Sequence, residues 1–128
     1  MKRQMITKDI ALEAEAIAIA GIAYSDPIQV GYAESFSYIA IVSGTTPDLK
    51  LEYQITDSQE GDAAFIGTNH DGQAQWYTPA TGGVLVTNLT SSRANGFTPA
   101  VSKWIRMKVT GNGGTGVDAK ITLIVMYQ

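Results

Sequence analysis

The chain carries a single histidine and no cysteine, so any imidazole base, nucleophile activator or imidazole metal ligand must be His70. It stands in Asn69-His70-Asp71-Gly72, a run that suits a tight, solvent-exposed turn. His70 and Asp71 are adjacent, but no serine is placed in sequence to complete a triad, and both read as turn residues. Without cysteine there is no disulfide framework, no thiolate metal site and no thiol nucleophile. The acids Asp57, Glu60, Asp62 and Asp71 fall in or near two successive loops. Oxygen ligands on such loops can hold calcium, yet the ordered spacing of a calcium loop is missing, so they read as solvated carboxylates. A glycosidase would need two acids facing a deep cleft, and the sequence does not suggest that pair. The glycine-rich run Gly111-Asn112-Gly113-Gly114-Thr115-Gly116 lacks both a Gly-Lys-Ser/Thr ending and a following helix, which a phosphate-binding loop requires. It reads as a flexible hairpin connection. Gly72, Gly82, Gly83 and Gly96 read as turn residues able to take positive φ. The expectation is a protein without catalytic residues, without a cofactor and without a bound metal.

Aromatic side chains are the better candidates for contact. Trp104 shares the parity of Arg106 and Lys108, opposite to Ile105, Met107 and Val109. That places it on the more exposed face of a strand, where a ring can stack on a sugar or fill a partner's pocket. The same ring could instead cover the edge of the core beside the Lys and Arg stems. Trp76 and Tyr77, followed by Thr78-Pro79, look like a loop anchored at one end of the fold. Phe97 marks a second candidate contact loop.

The elements that must position these residues are strands. Leu49, Leu51, Tyr53 and Ile55 alternate with Lys50, Glu52, Gln54 and Thr56, the pattern of a strand with one buried face. Ile105, Met107 and Val109 repeat it, as do Ile121, Leu123, Val125 and Tyr127. Residues 36–42 and 84–89 are more uniformly apolar, as strands covered on both faces would be. Turn-forming clusters separate the runs, among them Ser43-Gly44-Thr45-Thr46-Pro47-Asp48. Short strands with this punctuation predict an all-β fold, an antiparallel β-sandwich of jelly-roll-like type, as a single domain over residues 1–128.

Residues 9–24 are helical by propensity, being rich in alanine, leucine and glutamate. Yet Leu12, Ala14 and Ala16 alternate with Glu13 and Glu15, and then Ile17 and Ile19 alternate with Ala18 and Ala20. The apolar parity switches near Ala16, which fits a bulge or a strand passing between packing environments. Strand is the preferred reading. Small alanines beside Ile17 and Ile19 suggest close approach of a second backbone, so residues 1–22 are expected to contact another subunit, with residues 1–8 as an N-terminal arm. The alternative is that this segment forms the first strand of its own sandwich.

Composition sets the outer limits. A chain of 128 residues that is 45% hydrophobic and 16% charged can bury a real core and lies far from the disordered regime. A formal net charge of -3 argues against an electrostatically driven nucleic-acid binder. Residues 10–23 are the most apolar stretch, but Glu13 and Glu15 interrupt a run too short to span a bilayer. The same acids spoil the Met-Lys-Arg start as a signal peptide. Asn88-Leu89-Thr90 matches the glycosylation sequon, which carries little meaning without a secretory signal.

Three stretches together resemble a known class. They are Ser35-Phe36-Ser37-Tyr38-Ile39-Ala40-Ile41-Val42, then Leu49-Lys50-Leu51-Glu52-Tyr53-Gln54-Ile55-Thr56, then Trp76-Tyr77-Thr78-Pro79. Their text is similar to that of small β-sandwich structural proteins of tailed-bacteriophage virions. The later run Gly96-Phe97-Thr98-Pro99, continuing to Trp104-Ile105-Arg106-Met107-Lys108-Val109-Thr110-Gly111, has the cadence of such domains. The resemblance implies a capsid decoration or cement protein, or a head- or tail-associated one. Such a protein is made in the host cytoplasm, resides on the virion, and acts by multivalent binding. Its partners would be itself, as a homo-oligomer such as a trimer, and a major capsid or other virion protein. Carbohydrate-binding and discoidin-like jelly rolls share the same motifs more loosely. The alternative is therefore a carbohydrate- or receptor-binding module of a phage tail fibre, with Trp76, Tyr77 or Trp104 as stacking platforms. The expected contact residues are Ile17, Ile19, Trp76, Tyr77, Phe97 and Trp104.

Overall fold

The computed structural model describes residues 6–31, 33–56 and 76–128. The described residues contain ten strands and no helix: β1 (Thr7–Ala16), β2 (Ile22–Tyr24), β3 (Ile28–Gln29), β4 (Phe36–Ser43), β5 (Leu49–Thr56), β6 (Trp76–Tyr77), β7 (Val84–Leu89), β8 (Arg93–Phe97), β9 (Trp104–Gly111) and β10 (Lys120–Tyr127). They form two antiparallel sheets. The first, sheet A, has the order β1-β10-β4-β8. The second, sheet B, has the order β2-β9-β5-β6, with β3 also on β9 and β7 also on β5.

Period two decides which residues meet between the sheets. Tyr38 and Ala40 of β4 join Ile121, Leu123 and Val125 of β10 on the inner side of sheet A. Leu49, Leu51 and Tyr53 of β5 join Ile105, Met107 and Val109 of β9 on the inner side of sheet B. All are buried in one continuous core. Each large aliphatic side chain so enclosed contributes about 1.5–3 kcal/mol of hydrophobic stabilisation before the ordering entropy is subtracted. The alternation read in β5, β9 and β10 decides which residues face the core, although Glu52, Gln54 and Arg106 on the outward parity are buried as well, so β5 and β9 do not have a single buried face.

The stretch over residues 9–24 is strand, and it serves both sheets. β1 pairs with β10 from Thr7↔Tyr127 to Ala16↔Lys120, with register shifts on either side of Leu12. Glu13 and Ala14 stand together opposite Thr122. Ala14 takes φ 47 there, and its amide donates to the Thr122 hydroxyl at 2.9 Å. Beyond Ala16 the chain leaves sheet A, buries Ile17, turns, and enters sheet B as β2 on β9. The parity switch in the sequence therefore marks a bulge followed by a sheet-to-sheet crossing. The crossing is held by the Ile17 amide on the Ala119 carbonyl at 3.0 Å and the Ala20 amide on the Gly111 carbonyl at 2.9 Å. The Gly111 amide in turn donates to the Gly21 carbonyl at 2.9 Å.

Three expectations need correction. The glycine-rich run after β9 is not a hairpin connection, because β9 lies in sheet B and β10 in sheet A; it carries the chain across the end of the sandwich. Strands β4 and β7 are not covered on both faces among the described residues, since Ile41 is 49% exposed and Val84 40%. Of the glycines read as positive-φ turns, Gly82 has φ 76, whereas Gly83 and Gly96 do not adopt that region and Gly96 sits within β8. His70, Asp71, Gly72, Asp57, Glu60 and Asp62 lie outside the described residues.

At the end of the sandwich where the glycine-rich run crosses, two carboxylates knit the loops. Asp48 accepts from the side-chain amides of Asn88 and Asn112, each at 3.0 Å. Asp118 accepts from the amide and hydroxyl of Thr45, at 2.8 and 3.0 Å. These donors favour the charged form, so both carboxyls sit below their ordinary value of 3.8. A carboxylate whose folded-state value is depressed contributes stability above the ordinary value, and that contribution disappears as pH falls through the folded value. The melting temperature should therefore drop as pH is lowered below about 4, and the Asp48→Asn/Asp118→Asn variant should show a flatter acid limb. An unchanged acid limb in that variant would show that other groups set it.

The Tyr38 hydroxyl is buried with no hydrogen-bond partner among the described residues. An unpaired buried hydroxyl costs about 1–3 kcal/mol in lost hydration. Tyr38→Phe should consequently equal or exceed the parent in urea denaturation, by about 1 kcal/mol. A clear loss would mean that the hydroxyl has a partner.

Candidate functional site

The outward faces of the two sheets differ in chemistry because the residues between the core positions differ. On sheet B most of these residues are polar, aromatic or charged, with exposed Ile22 and Val84 as aliphatic exceptions. Arg106 projects outward beside Gln54, its cross-strand partner. Its Nε donates to Gln54 Oε1 at 2.7 Å, and Gln54 Nε2 donates to Thr78 Oγ1 at 3.2 Å. The guanidinium carbon lies 4.0 Å from the ring centre of Tyr24 and 4.8 Å from that of Trp76, so the cation is held between two π faces. Arg106 is only 4% exposed, which overturns the expectation that its parity faces solvent. Burial pulls its pKa below the ordinary value and the nearby Tyr24 opposes that shift; guanidinium remains charged regardless. Trp104 follows one step beyond the last β5–β9 pair, on the same outward parity, and is half-buried. Next to this cluster Lys50 and Glu52 stand 3.8 Å apart.

Sheet A presents the opposite character. Ile10, Ile124, Ile39 and Ala94 occupy one row across all four strands, β1 to β8. Ile41 beside Thr122 and Met126 beside Ser37 extend the row on either side. All have the parity opposite to the core. Ile10 is 54% exposed and Ile41 49%. Past Met126 a shallow depression of about 370 Å³ lies between Ile6, Phe36, Met126 and Tyr127. At that corner the Tyr127 hydroxyl donates to Asp9 at 3.0 Å. Burial together with that carboxylate pushes the Tyr127 phenol up to about 12.

The six residues singled out in the sequence do not converge. Ile17 belongs to the core at 3% exposure, so it is unavailable to another subunit; it fills the crossing between the sheets. Ile19, two residues on, is exposed at the turn. Phe97 packs its ring 5.7 Å from both Phe36 and Tyr53 and 6.2 Å from Tyr38, which makes it a wall of the core more than a loop contact. Trp76 pairs with Thr56 and Tyr77 with Ile55 in the short strand β6. Trp76 lies against Arg106, whereas Tyr77 is exposed. Only Trp76 and Trp104 share a face. Sequence reading missed Tyr24, Gln54 and Arg106 on sheet B, and Ile10, Ile39, Ile41 and Ile124 on sheet A. Part of the latter had a signal: in residues 36–42 and 121–127 four of the six positions between core residues, Ile39, Ile41, Ile124 and Met126, are themselves apolar.

In comparisons with protein families, curated proteins and solved structures, the chain matches none of them. Among the described residues no cluster of acidic or histidine side chains is arranged to hold a metal ion, and no helix is long and apolar enough to cross a membrane.

Proposed function

We propose that the chain is a non-enzymatic structural protein of a virion, a capsid decoration or cement module that works by surface contact. The observation that carries this reading is the aliphatic outer face of sheet A, centred on the row Ile10–Ile124–Ile39. Exposed apolar area of that kind is unfavourable in water and marks a protein contact. The strand orders β1-β10-β4-β8 and β2-β9-β5-β6 support a jelly-roll reading, an architecture shared by capsid and lectin domains. Fold alone does not select function, so the choice between those two rests on the face. The resemblance of residues 35–56 and 96–112 to small phage β-sandwich proteins adds to it.

On this reading the same genome encodes a major capsid protein, and the test is co-sedimentation of the purified protein with capsids assembled from it. Saturable binding to capsids would support the reading, and its loss in Ile39→Lys or Ile41→Lys would show that it depends on this face, whether directly or through assembly of the protein's own copies. Absence of binding at high protein excess would overturn it. A carbohydrate-binding reading has its own observation, the exposed ring of Tyr24 on the face that carries Trp76 and Trp104, with Tyr77 exposed at the next position of β6 on the opposite parity. Glycan binding abolished by Trp76→Ala and Tyr77→Ala, with no particle binding, would favour it.

A further inference from the structure

We infer that the outer face of sheet A is a two-fold interface, and that its occupant is a second copy of this chain. The inference deepens the reading of the protein as an assembling structural module by naming the partner of that face. The central row, Ile10, Ile124, Ile39 and Ala94, runs perpendicular to the strands. A two-fold axis along this row, between two facing copies, sets each of these side chains against its own counterpart. The rows on either side are then exchanged. Ile41 of one copy meets Ser37 of the other, and Met126 meets Thr122, so large side chains face small ones in both directions. The twist of each sheet is compatible with such face-to-face packing at about 30°.

Charge complementarity selects a second copy over an unrelated partner. On β1, Lys8 lies on one side of Ile10, paired with Met126, and exposed Glu13 lies on the other side, opposite Thr122. The same axis brings Lys8 of each copy to Glu13 of the other, giving two reciprocal ion pairs at one rim. An isologous interface requires this kind of self-complementary pattern. Pairing through the outer edge of β1, which has no strand partner among the described residues, is the less suitable geometry, because the bulge at Glu13 and Ala14 interrupts its ladder.

Four strands about 4.8 Å apart and roughly six residues at about 3.3 Å each give a face of about 400 Å² per copy. Two such faces total about 800 Å², short of the roughly 1,000 Å² of a stable interface, so the dimer is a weak, transient one with Kd on the order of 10 μM or above.

Sedimentation equilibrium of the purified protein alone, from about 5 to 500 μM, tests this without any particle. The expected result is a reversible monomer–dimer equilibrium, weakened at least about 30-fold by Ile124→Lys. Lys8→Glu and Glu13→Lys should each weaken it about fivefold, and the double variant should restore it. Circular dichroism and melting of each variant show that the monomer is intact. A monomer throughout the range overturns the inference. So does a dimer that Ile124→Lys leaves unchanged, or charge variants whose effects simply add. A dimer that meets these tests while failing to bind capsids would overturn the virion reading and leave this interface standing.

Discussion

Gly111→Ala should destabilise the folded chain by about 3 kcal/mol, and Gly111→Val by more, a large share of the total stability expected of one small domain. A Cβ built on Gly111 falls on the carbonyl oxygen of Ala18, with the Ile17 side chain also close by. Neither neighbour can yield cheaply. Ala18 lies within the crossing between the sheets, and that crossing is tied to Gly111 by hydrogen bonds through both its amide and its carbonyl. Moving the carbonyl away would break those bonds and lift Ile17 from the core. Gly113 is the control, since a Cβ there meets nothing within 4 Å, and Gly113→Ala should lie within about 0.5 kcal/mol of the parent. Urea denaturation of the three proteins measures the difference. A Gly111→Ala variant as stable as the Gly113 control would show that the crossing does not pack as described.

Arg106→Ala is the second large effect, at about 2–4 kcal/mol. It removes two cation–π contacts, each worth about 0.5–2 kcal/mol when desolvated. It also strands the Gln54 side-chain carbonyl, which Arg106 supplies with a proton donor at 2.7 Å. Arg106→Lys should recover less than half of the loss, because an ammonium cannot stack its plane on Tyr24 and Trp76 together. A double-mutant cycle with Tyr24→Leu should give a coupling of about 1 kcal/mol. A change in tryptophan emission should accompany Arg106→Ala, through Trp76. If Arg106→Ala melts with the parent and leaves the emission unchanged, the cation is not held between the rings.

How far the sequence reveals this fold depends on what period two can encode. Alternation states which residues share a face, and it did so for Leu49, Leu51 and Tyr53, for Ile105, Met107 and Val109, and for Ile121, Leu123 and Val125. It does not state which face another element will cover. Arg106 therefore reads as solvent-facing, although Tyr24 and Trp76 close over it from strands 82 and 30 residues away in sequence. Ile39 and Ile41 read as doubly covered, although sheet A has its only described packing partner on the other side. The glycine run after β9 reads as a hairpin for the same reason, since turn residues announce a change of direction but not the sheet that receives the next strand. The parity switch near Ala16 was more informative, because a bulge and a crossing each leave a mark in local spacing. The candidate contact residues were the least legible. Ile17 and Phe97 are apolar for the sake of the core, and nothing local distinguishes them from apolar residues facing a partner.

The placement of β9 and β10 has a kinetic consequence. Each is an interior strand of its sheet, β9 between β2 and β5 and β10 between β1 and β4, yet both lie near the end of the sandwich's sequence. During synthesis β1 and β4 emerge about 80 residues or more before the strand that joins them, and neither sheet can close until its central member arrives. Ladders joining such distant segments form slowly, because loop closure must precede any pairing. Strand β5 can pair with β6 and β7, and β4 with β8, before then, but β1 and β2 have no partner until β10 and β9 emerge, so the sandwich folds after β10 has cleared the ribosome. In that interval the unjoined edges of β1 and β4 are templates for pairing between nascent chains, so soluble yield should rise when synthesis is slowed or holding chaperones are abundant.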